Sequence, residues 1–583
     1  MAIFRQPIIL IILSLLFLII GVSPKGEEVK LSEAQEQTED ILIIPTQPNS
    51  SSAEATEELN LQKEISVDLI DLEALRKAGE KKRGVDKVMR MSLKECIELA
   101  LKQNPDILVS GLEPIKSQAD QLTAKGMFDP LFQTSLQYSY ASIYASQEIR
   151  AYAGVTSLET KRTDLTSSIG GKLKLGTQYA LTFNTEWQAT TFSDLKGEYG
   201  GKLLFTLTQP LLRGFGIKVN TAKIKMAEKA EKLAYAQLKM TMMNTIAEVI
   251  KAYWDLVGAI ENVKVREEAL ANAERLLEIS EKRREIGTAA DIEVLQAKAG
   301  VATRQSELLA ARAQMESASD ILKNLLFIRD GELFSKVLIV PTDRPRTFDE
   351  EKLDVENLGP NVDECVKSAL ENRPEIEIAK LQIETADLKL LETRNEILPQ
   401  LDLIATYGQG GRDPELSKVF YGIRDDQETY YSYGIKATIP IGNRAGRGAY
   451  QRAKLTKREM EERMKKIEQA VMMSVHLAVR NIETNRVLVE SNRQARKLQE
   501  ANVVAEEKRL KLGVSTSWRV LQVQTDYTLA KTMELQARIA YEKALIDLYL
   551  AQGTLLENLD IEISLPEVEP TPTFGQSINP RWE

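Results

Sequence analysis

The sequence predicts a mainly α-helical fold that also contributes strands to a membrane β-barrel, with coiled-coil rods in each of two repeats. Three observations carry this expectation. A short helix–proline–helix segment occurs twice. Each copy is followed by strands that alternate apolar or aromatic residues with polar ones. A long stretch rich in Ala, Leu, Glu, Lys and Arg, almost free of Gly and Pro, then follows in each copy.

The repeat governs the organisation. Leu93-Lys94-Glu95-Cys96-Ile97-Glu98-Leu99-Ala100-Leu101-Lys102-Gln103-Asn104-Pro105 matches Val362-Asp363-Glu364-Cys365-Val366-Lys367-Ser368-Ala369-Leu370-Glu371-Asn372-Arg373-Pro374. Each copy reads as an amphipathic helix that stops before a proline, which then opens the next helix. The strands come next, at about 128–212 and 399–441. In the first copy Phe132, Leu136, Tyr138 and Tyr140 alternate with Gln133, Ser135, Gln137 and Ser139, and Leu203, Phe205 and Leu207 recur further on. In the second, Leu401, Leu403, Ala405 and Tyr407 form one strand, and Tyr431, Tyr433, Ile435, Ala437 and Ile439 the other. A half-buried soluble sheet would share this pattern. Strand pairs separated by long helical stretches suit a barrel that is apolar outside and polar inside.

Helices are expected over about 218–286 and 448–512, each roughly 100 Å long at full helical rise. Both end at matched turns centred on Gly287 and Gly513, where glycine suits the C-cap and Asp291 or a nearby Ser/Thr the next N-cap. The returning helices carry a stripe at 3–4 spacing, Ile292, Leu295, Ala299, Ala302, Ser306, Leu309 and Ala313. Its counterpart is Trp518, Leu521, Thr525, Thr528, Thr532, Leu535 and Ile539. This reads as a coiled-coil seam with small residues.

The repeats are bounded as 88–355 and 356–558. Before them, residues 1–23 read as an export signal, with Arg5 ahead of the apolar run Ile8 to Val22. An uncleaved anchor is the other reading. No cysteine follows that run, so no lipid anchor is expected there. Residues 24–87 read as a flexible acidic linker and 559–583 as a proline-containing disordered tail.

Composition narrows the function. Net charge is −9 without long basic runs, which argues against nucleic acid as a partner. The single histidine, His476, sits in a helical stretch with no nucleophile motif near it, so neither a His-based zinc cluster nor a triad is expected. Cys96 and Cys365 read as buried thiols, although an oxidising compartment would permit a bridge. No glycine-rich phosphate loop of the required form is found, so any energy for transport must come from a partner. An enzyme is the weakest reading, and no cofactor or metal is implied.

Over about residues 91–555 the chain resembles the TolC family of outer-membrane efflux proteins. The marks are Leu93…Ala100-Leu101…Asn104-Pro105, Leu207-Thr208-Gln209-Pro210-Leu211-Leu212-Arg213-Gly214, Ile439-Pro440-Ile441 and the two glycine tips, in order and duplicated. The resemblance implies a homotrimer in the outer membrane, in contact with its lipid. Each chain would give four strands to a shared twelve-strand barrel and four helical rods to a periplasmic tunnel. It further implies a passive conduit of a tripartite efflux or type I secretion system, joined through a periplasmic adaptor protein to an inner-membrane pump. Arg283, Gly287, Leu295, Arg509, Gly513 and Leu521 would then lie at the adaptor-facing tips, and Ser515, Arg519 and Gln522 at the pore constriction. Two departures stand out. Arg519 and Gln522 occupy positions where some members carry aspartates, so a carboxylate ring is not expected there. An extra hairpin is also expected near 172–187, with Leu173 and Leu175 on one strand and Tyr179, Leu181 and Phe183 on the other. It would be either an extracellular extension or added barrel strands. The alternative to a conduit is a periplasmic coiled-coil scaffold without a pore.

Overall fold

The computed structural model describes residues 87–193, 197–328, 337–344 and 361–563. The expected signal, all but the last residue of the expected linker, and the tail from 564 lie outside the described residues.

In chain order the elements are β1 (Lys87–Met91), α1 (Leu93–Gln103), α2 (Pro105–Lys125), β2 (Leu131–Tyr144), α3 (Gln147–Ala153), β3 (Ser157–Lys172), β4 (Gln178–Thr190) and β5 (Glu198–Pro210). Then come α4 (Ala222–Glu285), α5 (Asp291–Leu325), β6 (Val337–Pro341), α6 (Val362–Asn372), α7 (Pro374–Glu396), β7 (Gln400–Asp413), α8 (Leu416–Arg424), β8 (Glu428–Thr438), α9 (Arg444–Lys511) and α10 (Ser517–Gln552). The repeated helix pairs start for local reasons. Ser92 and Glu95 form a reciprocal capping box on α1. Asn104 then caps α2, accepting from the Asp106 amide at 2.9 Å, with Pro105 in the first turn, where its missing N–H costs nothing. In the second copy Asn361 caps α6, and Pro374 opens α7.

The long helices α4 and α9 have 64 and 68 residues. α2 and α5 both pack along α4, while α7 and α10 pack along α9. Two apolar cores form, one around each short helix, and Ile539, Leu555 and Leu556 of the second repeat join the first. Cys96, Ile97 and Ala100 of α1 pack with Ile246, Ile250 and Tyr253 of α4 and with Leu322. The equivalent Cys365 and Ala369 of α6 pack with Val475, Val479 and Ile482 of α9 and with Leu548. Both cysteines are therefore free and buried, each in a different core. His476 is exposed on α9. Among the described residues, no helix is long and apolar enough to cross a membrane.

One element was not anticipated. β1 and β6 form a two-stranded parallel sheet. It is tied to α4 by Tyr253, whose fully buried hydroxyl lies 2.7 Å from the Asp343 carboxylate and 3.2 Å from the Met91 carbonyl. The same Asp343 oxygen accepts from the Leu93 amide at 2.7 Å, so one carboxylate joins the sheet, α1 and α4.

The coiled-coil seam also needs correcting. On α5 the predicted stripe from Ile292 to Ala313 is wholly exposed, and the residues buried over that span are Val294, Ala297, Gly300, Val301, Arg304, Leu308 and Ala311. On α10 the stripe begins exposed at Trp518 and becomes buried by Thr528, Thr532 and Ile539. Two interleaved apolar stripes share the 3–4 spacing, and the chain's own packing takes the other one on α5.

Burial pushes the Cys96 thiol up to about 12, with the Glu95 and Asp343 carboxylates adding to the shift. At pH 8 the folded protein should hold roughly a thousand-fold less Cys96 thiolate than an exposed cysteine would, so alkylation should wait for unfolding. Rapid labelling of Cys96 in the native protein, followed by peptide mass mapping, would contradict this burial. Tyr253→Phe removes a hydroxyl shared by two elements and should destabilise the fold by about 1–3 kcal/mol, read as an earlier denaturant midpoint in circular dichroism.

Candidate functional site

The second sheet has six strands in the order β2-β3-β4-β5-β7-β8, every neighbouring pair antiparallel. The predicted extra hairpin belongs to this sheet, but its register differs from expectation. Leu173 and Leu175 lie in the turn between β3 and β4, and the first arm of the hairpin is the preceding Ser157–Lys172.

Pairing fixes which side chains share a face, because successive residues in a strand point to opposite sides. One face carries Phe132, Leu136, Tyr138 and Tyr140 on β2, then Leu165 and Ile169 on β3, and Leu181, Phe183 and Trp187 on β4. It continues through Leu203 and Phe205 on β5 and Tyr407 on β7 to Tyr431, Tyr433 and Ile435 on β8. Many of these are exposed in the single chain; Leu136 is 72% and Tyr433 84% accessible. The opposite face is polar. There Arg162 meets Asp164 at 2.8 Å and Glu186 at 3.0 Å, and Arg412 lies 3.5 Å from Glu428. Lys202 on the same face stands over the Tyr430 ring at 5.0 Å. A charged face and an aromatic face on one sheet suit water on one side and hydrocarbon on the other.

α8 lies against the apolar face. Val419 and Ile423 reach Gly201, and Phe420 stacks on Phe183 with ring centroids 5.6 Å apart. A Cβ on Gly411 would sit 2.9 Å from the Gly422 backbone, so helix and strand approach there only because both residues are glycine. The turn between β3 and β4, on the helix side of the sheet, spans only 173–177. Segments 145–156, 191–197 and 414–427 join the strands on the far side.

The other end of the helical rods holds the two hairpin tips. Gly287 and Gly513 adopt φ of 74° and 76°. Behind them the Thr288 amide donates to the Arg283 carbonyl at 2.8 Å, and the Val514 amide to the Arg509 carbonyl at 3.0 Å. The first tip has no side-chain cap: Ala290, not Asp291, is the N-cap of α5. At the second, Thr516 caps α10.

The tip residues singled out from the sequence do not all share one surface. Leu295 is exposed, as are the flanking Ile286, Ile292, Leu512, Val514 and Trp518. Leu521 instead packs inward on Leu276, Leu510 and Val520, against Gly300. Arg509 pairs with Glu506 at 3.3 Å, and Ser515 donates to the other Glu506 oxygen. Arg519 donates to Gln522 at 2.9 Å and lies exposed. Glu293 on the first tip accepts from Ser517 at 3.3 Å. The Ser280 hydroxyl reaches Ser517 at 2.9 Å, so a polar chain from buried Ser280 and Ser517 to half-buried Glu293 links the two hairpins. Arg304, buried on α5, adds a second link by donating to Thr525 on α10. The sequence reading missed this chain, because serines at helical spacing carry no signal of their own.

A profile of outer membrane efflux proteins matches residues 96–326 and 365–554, covering both repeats. The chain belongs to the outer membrane efflux protein family. A curated relative, the pyoverdine export outer membrane protein OpmQ of Pseudomonas putida, is 24% identical over 332 residues, which is 56% of this chain. The chain spans 64% of that relative's length. Among solved structures, the outer-membrane channel OprN superposes with a TM-score of 0.58 at 17% identity, covering 79% of this chain and 90% of that one. The CmeC outer membrane channel of Campylobacter jejuni gives 0.57 at 16% identity, covering 87% and 94%. The fold of the family, a helical tunnel with a β-domain, is thus the fold of this chain.

The space around both tip glycines is open, so only the positive φ resists substitution. Gly513→Val and Gly287→Val should each strain their turn by about 1–3 kcal/mol and speed amide exchange at 283–290 or 509–516. The sheet should remain protected. Unchanged exchange at both tips would contradict the turn geometry.

Proposed function

We propose that the protein is the exit duct of an envelope export system. Three copies join their sheets into one barrel in the outer membrane, and their helical rods form a tunnel in the periplasm. The tips dock a periplasmic adaptor protein, which couples the duct to an inner-membrane pump. The duct is passive: the family is one of efflux conduits, and the pump supplies the energy.

The observation that carries this reading is the sheet. Its aromatic face is suited to lipid and its charged face to water, and both edges, β2 and β8, are free in the single chain. Open edges are not tolerated in hydrocarbon, so one chain cannot form a barrel alone. A scaffold without a pore would leave the aromatic face without a role. Exposed apolar residues at the tips supply a second surface, of a kind suited to a protein partner. OpmQ is named for pyoverdine export. Efflux of a small molecule is the corresponding expectation here.

The constriction is assigned to Ser515, Arg519 and Gln522. Among the described residues the Arg519 guanidinium is held by Gln522 and by no carboxylate, which leaves its charge available to the axis. Threefold symmetry would bring three such groups together, favouring anions over small cations.

Two measurements test the reading. Light scattering in detergent should give a trimer, and a stable monomer retaining its β-structure would refute the shared barrel. In planar bilayers under a salt gradient, Arg519→Asp should move the reversal potential towards cation preference. An unchanged reversal potential with raised conductance would instead make Arg519 a latch between tips.

A further inference from the structure

The inserted hairpin lies inside the sheet, not at its rim. β3 and β4 separate β2 from β5, and pairing is continuous from Leu131↔Gly170 to Tyr144↔Ser157 and from Lys172↔Gln178 to Thr160↔Thr190. The two strands have 16 and 13 residues. A tilted strand needs about 9–11 residues to span a bilayer, so both are long enough. They also carry both faces of the wall. Leu165, Ile169, Leu181, Phe183 and Trp187 continue the aromatic belt, while Arg162, Asp164 and Glu186 stand on the polar side. A hairpin projecting into water would have no use for an apolar belt at the height of its neighbours' belt.

The turn of the hairpin is built into the junction between sheet and tunnel. The Leu175 carbonyl accepts from the Gly216 amide at 3.0 Å, and the Thr177 hydroxyl donates to Gln209 at 2.5 Å. Gly176 has φ of 103°, and a Cβ there would lie 2.2 Å from the Gly214 carbonyl. The segment from Gln209 to Gly216, which leads into α4, is thus shaped to receive this turn.

We propose that β2 of one copy pairs with β8 of the next, and that three copies close a barrel of eighteen strands with the inserted hairpin in its wall. This rests on the trimer proposed above. Six alternating strands leave β2 and β8 running in opposite directions, so the closing contact is antiparallel like all the others. The closed strand number is even, as a wall in which every neighbouring pair is antiparallel needs. Diameter grows roughly linearly with strand number, so the bore is about 1.5 times that of a twelve-strand barrel. The protein end of the export path then admits bulkier solutes on its outer side than the resemblance implies, while the tips still set the narrowest point.

The experiment is imaging of the full-length protein in lipid nanodiscs at a resolution that separates strands. Eighteen strands around a threefold axis are expected. A trimer with twelve wall strands and β3–β4 outside the wall would overturn this inference and leave the duct reading standing. A dimer, or a monomer with intact β-structure, would overturn both. Deleting 157–190 keeps the up–down order of the remaining strands and should give a twelve-strand trimer. Neutral polyethylene glycols applied from the barrel side should then enter the full-length pore at about 1.5 times the hydrodynamic diameter that they can have in the deleted one. Equal size limits for the two proteins would count against the wider wall. If the deleted chain fails to assemble, the strand count of the full-length protein still decides.

Discussion

Hydrocarbon offers no water to an unpaired amide, so a sheet with a lipid-facing side has to close on itself. Much else in the molecule follows from that requirement. The six strands pair along their full lengths, aromatic residues gather on one face, and the ion pairs of Arg162 and Arg412 are confined to the other. Gly201, Gly411 and Gly422 let α8 lie flat on the apolar face. One chain leaves β2 and β8 open, and in the proposed trimer closure is completed between chains. Any enlargement of the sheet within one chain is therefore multiplied by the number of copies.

The helical part meets a different constraint. Rods of 64 and 68 residues draw most of their stability from the packing of their apolar faces and not from propensity. Both repeats solve this in the same way. A short capped helix bearing a buried cysteine docks at the middle of the long rod, and a second helix starts at the following proline. Between the repeats, charged pairs flank the apolar contacts that Ile539, Leu555 and Leu556 make with the first core: Lys251 with Asp547 at 2.5 Å, and Lys229 with Glu384 at 2.5 Å. Such half-exposed pairs fix register more than they stabilise.

The sequence makes the helices and most strands legible because their periods differ so sharply. Tyr431, Tyr433 and Ile435 against Ser432 and Gly434 leave little choice but a strand, and the structure has one there. The hairpin is half legible. Leu173 and Leu175 alternate with lysines as a strand would, yet they form the turn, with the Leu173 amide bonded to the Thr177 carbonyl at 2.8 Å. The true strand β3 is obscured because Glu159, Lys161 and Thr163 stand on its apolar face towards the far end, opposite Ser142, Tyr140 and Tyr138. The β1–β6 pairing joins residues some 250 positions apart and has no local signature. At the tips the glycines are readable from helix-stop chemistry. The inward turn of Leu521 and the Ser280–Ser517–Glu293 chain are not, because both depend on how two hairpins meet.

That meeting is where the two halves of the molecule differ most in kind. Around α1 and α6 the packing is apolar and dense, with Ile246, Ile250 and Val475 fully buried. Towards the tips the apolar cluster shrinks to Leu276, Leu510 and Val520 with Leu521, and buried polar groups take over: Ser280, Ser517, Glu506 and Arg304. An apolar seam has no preferred partner atoms, whereas a hydroxyl–carboxylate seam is held by a few directed bonds that water can replace one at a time. Separation of the hairpins at the tips therefore exposes little apolar surface and leaves the rods docked at their middles. On the duct reading proposed above, this gradient places the easiest opening at the tips, far from the sheet.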